Sequence, residues 1–312
     1  MPDGKYLGVI LAAGHGSRMG PFGEEVPKPV APVCNKPLLV YQIEHLRALG
    51  VTDILVVIGH LGHRITAALG DGSAFGVRLR YVEQEKRLGL AHAVGQLETL
   101  VDRPFLLFLG DIFFEMDRPE RLVAEFEARG AAAALAVREE TDVEAVRRNF
   151  SVRTDGDGRV LRVIEKPRFV ESMLKGCGLY LFSLHIFDAI RRTPRTSLRD
   201  EYELTDSIQI LVDLDLEVRA VPVVAWDMNL TYIGDLVACS RRRLAALGVP
   251  SLTGGGCRIA PGTELVETVL GDGVEIRRPA RLERCVVMPG AVLDDGADLS
   301  DMVITRTARL QA

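Results

Sequence analysis

Cysteine is scarce in this 312-residue sequence, and no two cysteines lie close together. The five cysteines form no CxxC pair, which argues against a structural zinc site and against a disulfide framework. A reducing, cytoplasmic compartment is therefore the expected location.

Long apolar runs and blocks of positive charge are also missing. No stretch reaches the length of about 18 apolar residues that a membrane-spanning helix needs. The apolar run at 6–14 meets glycine early and has no cleavage-site pattern, unlike a secretory signal. The 38 basic and 43 acidic side chains give a net charge of −5 without a basic cluster. We therefore expect neither nucleic acid nor membrane as a partner, although a few cations could still hold a mononucleotide.

Apolar strand patterns alternate with helical patterns over the first 130 residues. Strands are expected at 6–14, 53–60, 77–84 and 104–111, and helices at 35–50 (capped by Asn35), 62–69, 90–101 and 119–130. Near-continuous apolar strands between helices indicate an α/β fold, with a mostly parallel sheet covered on both faces. Ligands of such sheets bind beyond the carboxyl ends of the strands.

The rest of the chain divides into a looser region and a repetitive one. A hairpin turn is expected at "DGDG" (155–158), followed by a helix at 201–213, a strand at 216–224 and a helix at 232–247. This completes a first domain over 1–247, and a linker is expected at 248–256. Over 257–312 an aliphatic residue returns about every six positions beside Gly or Pro, which is typical of a hexapeptide β-helix. A glycine-rich β domain without an exact repeat is the alternative.

The segment "LAAGHGSRMGPFGEEVPKP" (11–29) combines glycines with Arg18 and Lys28 directly after the first strand. Met19 stands where a dinucleotide-binding GxGxxG motif has its third glycine, and the Lys-Ser/Thr pair of a Walker A loop is missing. Two interpretations remain open at this point: a phosphate-binding loop of another kind, or a glycine-rich surface turn.

Several segments together resemble the sugar-1-phosphate nucleotidylyltransferases (NDP-sugar pyrophosphorylases). They are "LAAGHGSRM", "PKPVAPVCNKPLL", "EQEKRLGLAHAV", "FLGD", "EKP", "GLYLF", "ELTD" and the hexapeptide pattern, in the order of that family along nearly the whole chain. Residues 74–94 look most like the glucose-1-phosphate thymidylyltransferases, whereas the first segment is shared with uridylyl- and cytidylyltransferases.

The resemblance implies a Rossmann-like nucleotidyltransferase domain with a short C-terminal left-handed β-helix. It also implies a reaction in which a nucleoside triphosphate and a sugar 1-phosphate give an NDP-sugar and pyrophosphate, with Mg²⁺ as cofactor. Among the triphosphates, dTTP or UTP is favoured, and the residues leave the sugar open.

The resemblance assigns the nucleotide to the first loop and to the segment around residue 84. The expected nucleotide-binding residues are Leu11, Ala12, Gly14, Gly16, Ser17, Gln84 and Gly89. Gly14 and Gly16 would let backbone N–H groups approach the triphosphate, and Gln84 and Gly89 would face the base. A Gln84 that is only a polar residue at a strand end is the alternative. Residues 19–27 are expected to be mobile and to close over the nucleotide.

Three cations are the expected catalytic residues: Arg18, Lys28 and Lys166. Arg18 would hold the β- and γ-phosphates, Lys28 would neutralise the phosphates from the other side, and Lys166 would grip the sugar phosphate. The expected sugar-phosphate-binding residues are Gly110, Glu165, Lys166 and Gly178. An exposed loop lysine is the alternative for Lys28, and an exposed ion pair is the alternative for Glu165 and Lys166.

Asp111 ends an apolar strand, where a carboxylate is costly unless it is paired or metal-bound. The resemblance makes it an Mg²⁺ ligand, and a helix N-cap is the alternative. Where many relatives read WxDxGTP, this chain reads "WDMNL" (226–230). Counting from Trp226 gives Met228 as the second ligand position, but we prefer Asn229, with Asp227 as the fallback.

Histidine is missing from the hexapeptide region, which disfavours the acyl transfer that such coils perform with a catalytic histidine. We expect the coil to serve subunit packing in a homo-oligomer, through an exposed apolar end. Two rival functions stay open: a non-catalytic regulatory relative, and a nucleotidyltransferase for a non-sugar phosphate such as a cyclitol phosphate or a phosphonate.

Overall fold

A computed structural model describes residues 4–196 and 200–312. The strands before residue 230 are β1 (Leu7–Ala12), β2 (Pro32–Val33), β3 (Lys36–Pro37), β4 (Asp53–Ile58), β5 (Arg78–Glu83), β6 (Phe105–Leu109), β7 (Ile112–Met116), β8 (Ala133–Glu139), β9 (Phe150–Thr154), β10 (Val160–Glu165), β11 (Leu174–Phe182), β12 (Val218–Pro222) and β13 (Val224–Asn229). The helices are α1 (Pro21–Glu25), α2 (Leu38–Ala48), α3 (Gly62–Leu69), α4 (Leu90–Gly95), α5 (Glu120–Arg129), α6 (Val143–Arg148), α7 (His185–Arg192), α8 (Leu204–Asp213) and α9 (Ile233–Leu247).

The main sheet has the strand order β10-β9-β11-β6-β1-β4-β5, and β8 joins β11 to β12. Strands β6, β1, β4 and β5 run parallel, whereas β11 is antiparallel to both β6 and β8. Every residue of β1 is buried, because the strand lies in the middle of a sheet with both faces covered. The expected α/β fold with a mixed sheet is confirmed, and four of the eight strand pairings described in this sheet are parallel.

Helices cover the two faces of this sheet and create two separate apolar cores. One core takes residues from α2, α3 and α5, including Ile43, Ile65 and Phe126. The other takes residues from α4, α7 and α8, including Val94, Phe187 and Ile208. Helix placement on both faces is therefore confirmed. Among the described residues, no helix combines the length and the apolar character needed to cross a lipid bilayer.

Two predicted helices are shorter than expected. Helix α2 begins at Leu38, and Asn35 is not its cap: Asn35 has a φ of +62° and its Nδ2 donates a hydrogen bond to the Leu270 carbonyl at 2.8 Å. Helix α4 ends at Gly95, and residues 96–100 continue as turns. At Asn35 the tertiary contact with Leu270, which periodicity does not encode, replaces the expected cap.

The residues after Asp111 form a strand, so the N-cap alternative for Asp111 is wrong. Strand β7 pairs antiparallel with β13, and the register places Asn229 opposite Ile112. The expected single strand at 216–224 is in fact two, because β13 continues beyond β12 to residue 229. This antiparallel pairing of β7 with β13 brings the ends of β6 and β13 together.

The C-terminal region is a parallel β-helix, as the repeat pattern predicts. Its strands are β14 (Leu252–Thr253), β15 (Arg258–Ile259), β16 (Glu264–Val266), β17 (Val269–Leu270), β18 (Glu275–Ile276), β19 (Arg281–Val287), β20 (Val292–Leu293), β21 (Leu299–Ile304) and β22 (Arg309–Gln311). Stacked residues are 17 apart in sequence, as in the ion pair of Arg284 with Asp301. The left-handed sense of the coil stays a prediction.

Both ends of the coil differ from expectation. The interval 248–256, expected as a linker, contributes β14, which pairs in parallel with β17. At the other end, β22 turns back and pairs antiparallel with β21. The last rung is therefore covered by the chain itself rather than left as an open apolar end.

Candidate active site

A cavity of about 410 Å³ opens at the carboxyl ends of β1, β5 and β6, where the switch-point rule places a ligand. The wall contains most of the residues that the sequence singled out: Leu11, Ala12, Gly14, Arg18, Lys28, Gln84, Gly89, Gly110, Asp111, Glu165, Lys166, Gly178 and Asn229. Residues far apart in the chain thus meet around one space, with the first loop on one side and β10 and β11 on the other.

Gly14 and Gly16 differ in what surrounds them. A Cβ on Gly14 would meet no atom within 4 Å, so the backbone there faces open space in the cavity. Gly16 and Ser17, also predicted to bind the nucleotide, are not among the residues that line the cavity, and Gly16 has a φ of +71°. A Cβ on Gly16 would lie 3.5 Å from Lys28 Cγ, so this glycine shapes the turn over the lysine.

Residues 19–27 are anchored through two of their side chains, and their closure over a nucleotide stays a prediction. Residues 21–25 are α1, and the side chains of Met19 and Phe22 are buried, with Phe22 only 1% exposed. Both belong to an apolar cluster with Val33, Phe113 and residues of the coil. The hydrophobic effect therefore holds the back of the loop in place.

Lys28 is the buried cation of the cavity wall. Its side chain is 7% exposed, and its Nζ lies 3.8 Å from Oδ2 of Asp111, which is 39% exposed. Burial lowers the pKa of Lys28, while the carboxylate of Asp111 acts in the opposite direction. A buried ammonium of this kind is poised for anionic ligands, because their charge offsets its desolvation.

Asp111 and Asn229 both line the cavity, where the ends of β6 and β13 meet. The Leu230 N–H donates to the Asp111 carbonyl at 2.8 Å, which ties the end of β13 to the end of β6. Gln42 stabilises the same turn, since its Nε2 donates to the carbonyls of Leu109 and Ile112 at 2.9 and 2.8 Å. The turn is therefore fixed from both sides.

These two side chains fit a divalent cation of the magnesium type. Within residues 4–196 and 200–312, no group of three or more His, Cys, Asp or Glu side chains forms a complete metal cage. Mg²⁺ is commonly held by one or two protein oxygen ligands together with substrate phosphates and waters. One carboxylate from Asp111 and one amide oxygen from Asn229 meet that description.

Asp227, the fallback ligand, lies outside the cavity and is engaged elsewhere. Both of its carboxylate oxygens accept hydrogen bonds from Lys175 Nζ at 2.9 Å. Met228 packs against the apolar cluster that contains Phe22. Of the three candidate ligands in this segment, Asn229 is therefore the one that lines the cavity.

Glu165 and Lys166 form the wall opposite the first loop. Thr205 Oγ1 donates to Glu165 Oε2 at 3.4 Å, and the Lys166 N–H donates to the Asn149 carbonyl at 2.7 Å. Lys166 has a φ of +42°, and its Nζ lies 3.6 Å from Glu165 Oε1. The strained backbone at Lys166 turns this lysine into the cavity wall at the end of β10, a placement typical of functional residues.

Three positions in the cavity wall require glycine for structural reasons that the sequence does not show. A Cβ on Gly89 would lie 2.4 Å from the Tyr202 carbonyl oxygen, and one on Gly178 would lie 2.6 Å from Ile112 Cδ1. A Cβ on Gly110 would lie 2.7 Å from the Leu11 carbonyl oxygen. These positions need glycine because neighbouring chain segments approach closely, whatever they contact in a ligand.

Gln84 is buried at the end of β5 and lines the cavity. Its Nε2 donates to the Lys86 carbonyl at 3.1 Å, which orients the amide. An oriented amide is better suited to recognise a base edge than a free one, because less rotamer entropy is lost on binding.

Two further cations line the wall that were not predicted from the sequence, Arg87 and Arg148. Arg87 lies within the segment "EQEKRLGLAHAV", which carries the family resemblance, so it could have been identified from the sequence. Arg148 ends α6, a helix that was not predicted, and no local pattern connects it with β10 or β11.

Comparisons with known proteins identify the family of each region of the chain. Residues 7–227 match the Nucleotidyl transferase family, and residues 238–312 match the GlmU-like C-terminal hexapeptide family. The chain is 38% identical over 221 residues to the low-salt glycan biosynthesis nucleotidyltransferase of Haloferax volcanii, which covers 70% of this chain and 60% of that relative. It is 32% identical over 299 residues to the glucose-1-phosphate thymidylyltransferase of Streptomyces antibioticus, covering 95% and 80%.

A solved structure shares the architecture of the first domain. It is a putative glucose-1-phosphate thymidylyltransferase from Bacillus anthracis in complex with sucrose. The superposition has a TM-score of 0.66 at 26% identity, and it covers 75% of this chain and 94% of the other.

Proposed function

Because the chain belongs to the nucleotidyl transferase family, we propose that it is an enzyme that couples a nucleoside triphosphate to a sugar 1-phosphate. The products are an NDP-sugar and pyrophosphate. The names of its relatives support this reaction class, since the Streptomyces antibioticus protein is a glucose-1-phosphate thymidylyltransferase.

One observation carries the proposal: the cavity is lined by cations that come from two separate parts of the fold. Arg18 and Lys28 come from the first loop, and Lys166 comes from the end of β10. Two separate cationic walls suit two separate anionic substrates, a triphosphate on one side and a sugar phosphate on the other.

The reaction needs alignment and charge neutralisation more than a catalytic base. The nucleophile is a phosphate oxygen that is already ionised at neutral pH, so no Ser-His or carboxylate base has to activate it. Lys166 orients the sugar phosphate for in-line attack on the α-phosphorus, and Arg18 and Lys28 stabilise the charge that develops on the leaving pyrophosphate. Glu165 accepts hydrogen bonds from sugar hydroxyl groups.

Asp111 and Asn229 would hold the metal ion, which we propose to be Mg²⁺. When bound, the ion would supply charge neutralisation for the substrate phosphates. An amide as second ligand leaves one protein charge fewer at the metal than a pair of carboxylates would.

The base is recognised by Gln84 and by the backbone at Gly14. We propose dTTP or UTP as the nucleotide, since an oriented amide can pair with the imide edge that thymine and uracil share. Segment 74–94, which resembles thymidylyltransferases, contains Gln84.

The chain acts as a homo-oligomer in the cytoplasm. All five cysteines are free thiols, four of them buried, which agrees with a reducing compartment. The first rung of the coil exposes Ile259, whereas β22 covers the last rung, so the first rung is the end available for a subunit contact. Light scattering after gel filtration tests the oligomer, and a monomer at micromolar concentration would contradict it.

The test of the reaction is a substrate matrix. The protein is incubated with each of dTTP, UTP, ATP, CTP and GTP against a panel of sugar 1-phosphates and Mg²⁺, and pyrophosphate is measured. Release with dTTP or UTP and a hexose 1-phosphate is expected.

Two other results would assign the chain differently. No release with any pair, despite binding of the Mg²⁺–nucleotide, would indicate a non-catalytic regulatory relative. Release only with a cyclitol phosphate or a phosphonate would indicate a nucleotidyltransferase for a non-sugar substrate.

A further inference from the structure

Four charged side chains form a buried group next to the cavity, which we call the charge quartet: Arg138, Glu140, Lys175 and Asp227. Lys175 and Asp227 are its centre, with side chains only 4% and 1% exposed. Lys175 Nζ donates to both Asp227 oxygens at 2.9 Å, so the pair is bidentate.

Arg138 and Glu140 on β8 complete the quartet. Arg138 Nε lies 3.6 Å from Asp227 Oδ1, and Lys175 Nζ lies 3.5 Å from Glu140 Oε2. Arg138 also donates a hydrogen bond to Glu140. Two positive and two negative charges compensate one another, and all four side chains lie outside the wall of the cavity. The quartet is therefore not built to bind the substrate.

A buried ion pair is a poor means of gaining stability, because desolvation offsets most of the Coulomb attraction. An ion pair can, however, fix the positions of its partners, since a bidentate contact holds both side chains in one geometry. The question is which parts of the chain are fixed by it.

The Lys175–Asp227 pair connects two elements of the active site. Asp227 is two residues before Asn229 on β13, and Lys175 precedes Gly176 and Gly178 of the cavity wall on β11. Among the strands that the structure describes, β13 has ladder hydrogen bonds only to β7, in a two-stranded sheet apart from the main one. The side-chain pair is thus a direct polar link from β13 to the main sheet.

We propose that the Lys175–Asp227 pair is a positioning device that holds Asn229 beside Asp111 for metal binding. This inference rests on the proposed function, because it takes Asn229 as the metal ligand. Lys175 and Asp227 act through Asn229 and do not touch the metal. Asp227 thereby has a structural task in the same segment in which many relatives carry a metal-binding carboxylate.

The main test replaces the pair by apolar residues, in the variant Lys175→Met/Asp227→Leu. The remaining Arg138 and Glu140 stay paired, and an apolar replacement of a buried ion pair commonly retains stability. Mn²⁺ affinity is measured by electron paramagnetic resonance in the presence of a non-hydrolysable dTTP analogue, and folding is checked by thermal unfolding. We expect a folded protein whose Mn²⁺ affinity is lower by about tenfold or more, as is usual when a group that orients a metal ligand is lost.

A matched control is Lys36→Met/Glu44→Leu, which removes an ion pair of 2.8 Å that lies away from the cavity. It should leave Mn²⁺ affinity unchanged. If the apolar pair variant does not fold, Asp227→Asn serves instead, since it keeps the size of the side chain. Wild-type Mn²⁺ affinity in either folded variant would overturn the inference.

A double-mutant cycle with Asn229→Ala identifies the route of the effect. If the pair acts through Asn229, adding Lys175→Met/Asp227→Leu to Asn229→Ala should lower Mn²⁺ affinity no further. Fully additive losses would overturn the inference. Metal binding does not require turnover, so a wild-type protein that binds Mn²⁺ and nucleotide but releases no pyrophosphate would refute the proposed function and leave this inference standing.

Discussion

Lys28 Nζ lies 3.8 Å from Asp111 Oδ2, so a cation from the first loop meets the carboxylate at the end of β6 inside one cavity. The two residues are 83 positions apart, and the parallel arrangement of β1 and β6 brings their ends together. Burial lowers the pKa of Lys28 most, and the positive charge of Arg18 lowers it further. Arg18 is therefore a second cation close to Lys28. The loop and the strand end thus form one electrostatic unit.

Replacing Arg18 should impair chemistry without impairing folding. Arg18 is exposed and lines the cavity, so Arg18→Ala removes a charge contact to the leaving group and little packing. We expect kcat to fall by about 100-fold, as is typical when one transition-state charge contact is lost. Steady-state kinetics with the active substrate pair measure this, with exposed Arg64→Ala on α3 as the control. A near-normal kcat would show that the loop does not hold the triphosphate.

Two glycines of the wall should respond oppositely to alanine. Gly14→Ala introduces a methyl group into open space, so stability should change by less than about 1 kcal/mol, while activity falls because the methyl group obstructs the phosphates. Gly178→Ala should cost about 2 kcal/mol or more, since its φ is +74° and the methyl group would lie 2.6 Å from Ile112 Cδ1.

Chemical denaturation and steady-state kinetics on both glycine variants separate the two effects. Full activity in a folded Gly14→Ala variant would count against close backbone approach to the triphosphate. Wild-type stability of Gly178→Ala would show that β11 and β7 are not in the tight contact described.

The anchored loop predicts a large loss of stability on truncation of Phe22. Phe22 is fully buried in the cluster beneath the loop, so Phe22→Ala should lower the free energy of unfolding by about 3–5 kcal/mol. Urea denaturation measures this. Phe169, which is 84% exposed, supplies the control, and Phe169→Ala should be nearly neutral. A mobile flap would instead tolerate both changes equally.

Glu140 should make the stability of the protein sensitive to acid. Burial alone would raise its pKa, but hydrogen bonds from Arg138 and from the Thr141 N–H outweigh burial and lower the pKa from 4.5 to about 2. Because the folded-state pKa is the lower one, the stabilisation is complete above the unfolded-state pKa of 4.5 and disappears as the pH falls towards 2.

Glu140→Gln should therefore lower the free energy of unfolding by about 2 kcal/mol at neutral pH, and the difference from wild type should narrow below pH 4.5. Urea denaturation at several pH values between 7 and about 3 measures the difference. Glu171→Gln, at an exposed residue, should show no such narrowing. A constant difference for Glu140→Gln would mean that its carboxylate is not stabilised by folding.

The sequence predicted the elements whose information is local. The glycine-rich loop around Gly14 can be recognised from its composition. The apolar strands that precede Gly14 and Asp111 can be recognised from their hydrophobic pattern. The switch-point rule then places these ends at one edge of the sheet, which is why Gly14 and Asp111 line one cavity. The placement of Glu165 and Lys166 in the same cavity was implied by the family resemblance instead.

The features that sequence reasoning missed depend on contacts between distant segments. Nothing near Asp227 in the sequence indicates its partner Lys175, 52 residues earlier, and the spacing of WDMNL instead allowed Asp227 as a metal ligand. The anchoring of Phe22 was hidden by its glycine-rich surroundings, which suggested a mobile loop. Burial of a single aromatic side chain overrides such local composition.

The coil has a consequence for the loop that lies far from it in sequence. Val286 and Val303 of the coil share one apolar cluster with Met19 and Phe22, and Leu236 of α9 lies in the same cluster. Strand β13, which ends at Asn229, leads directly into α9 and from there into the coil. The coil therefore supports the first loop, and exchanging it for the coil of a relative would also change the packing beneath the segment that carries Arg18 and Lys28.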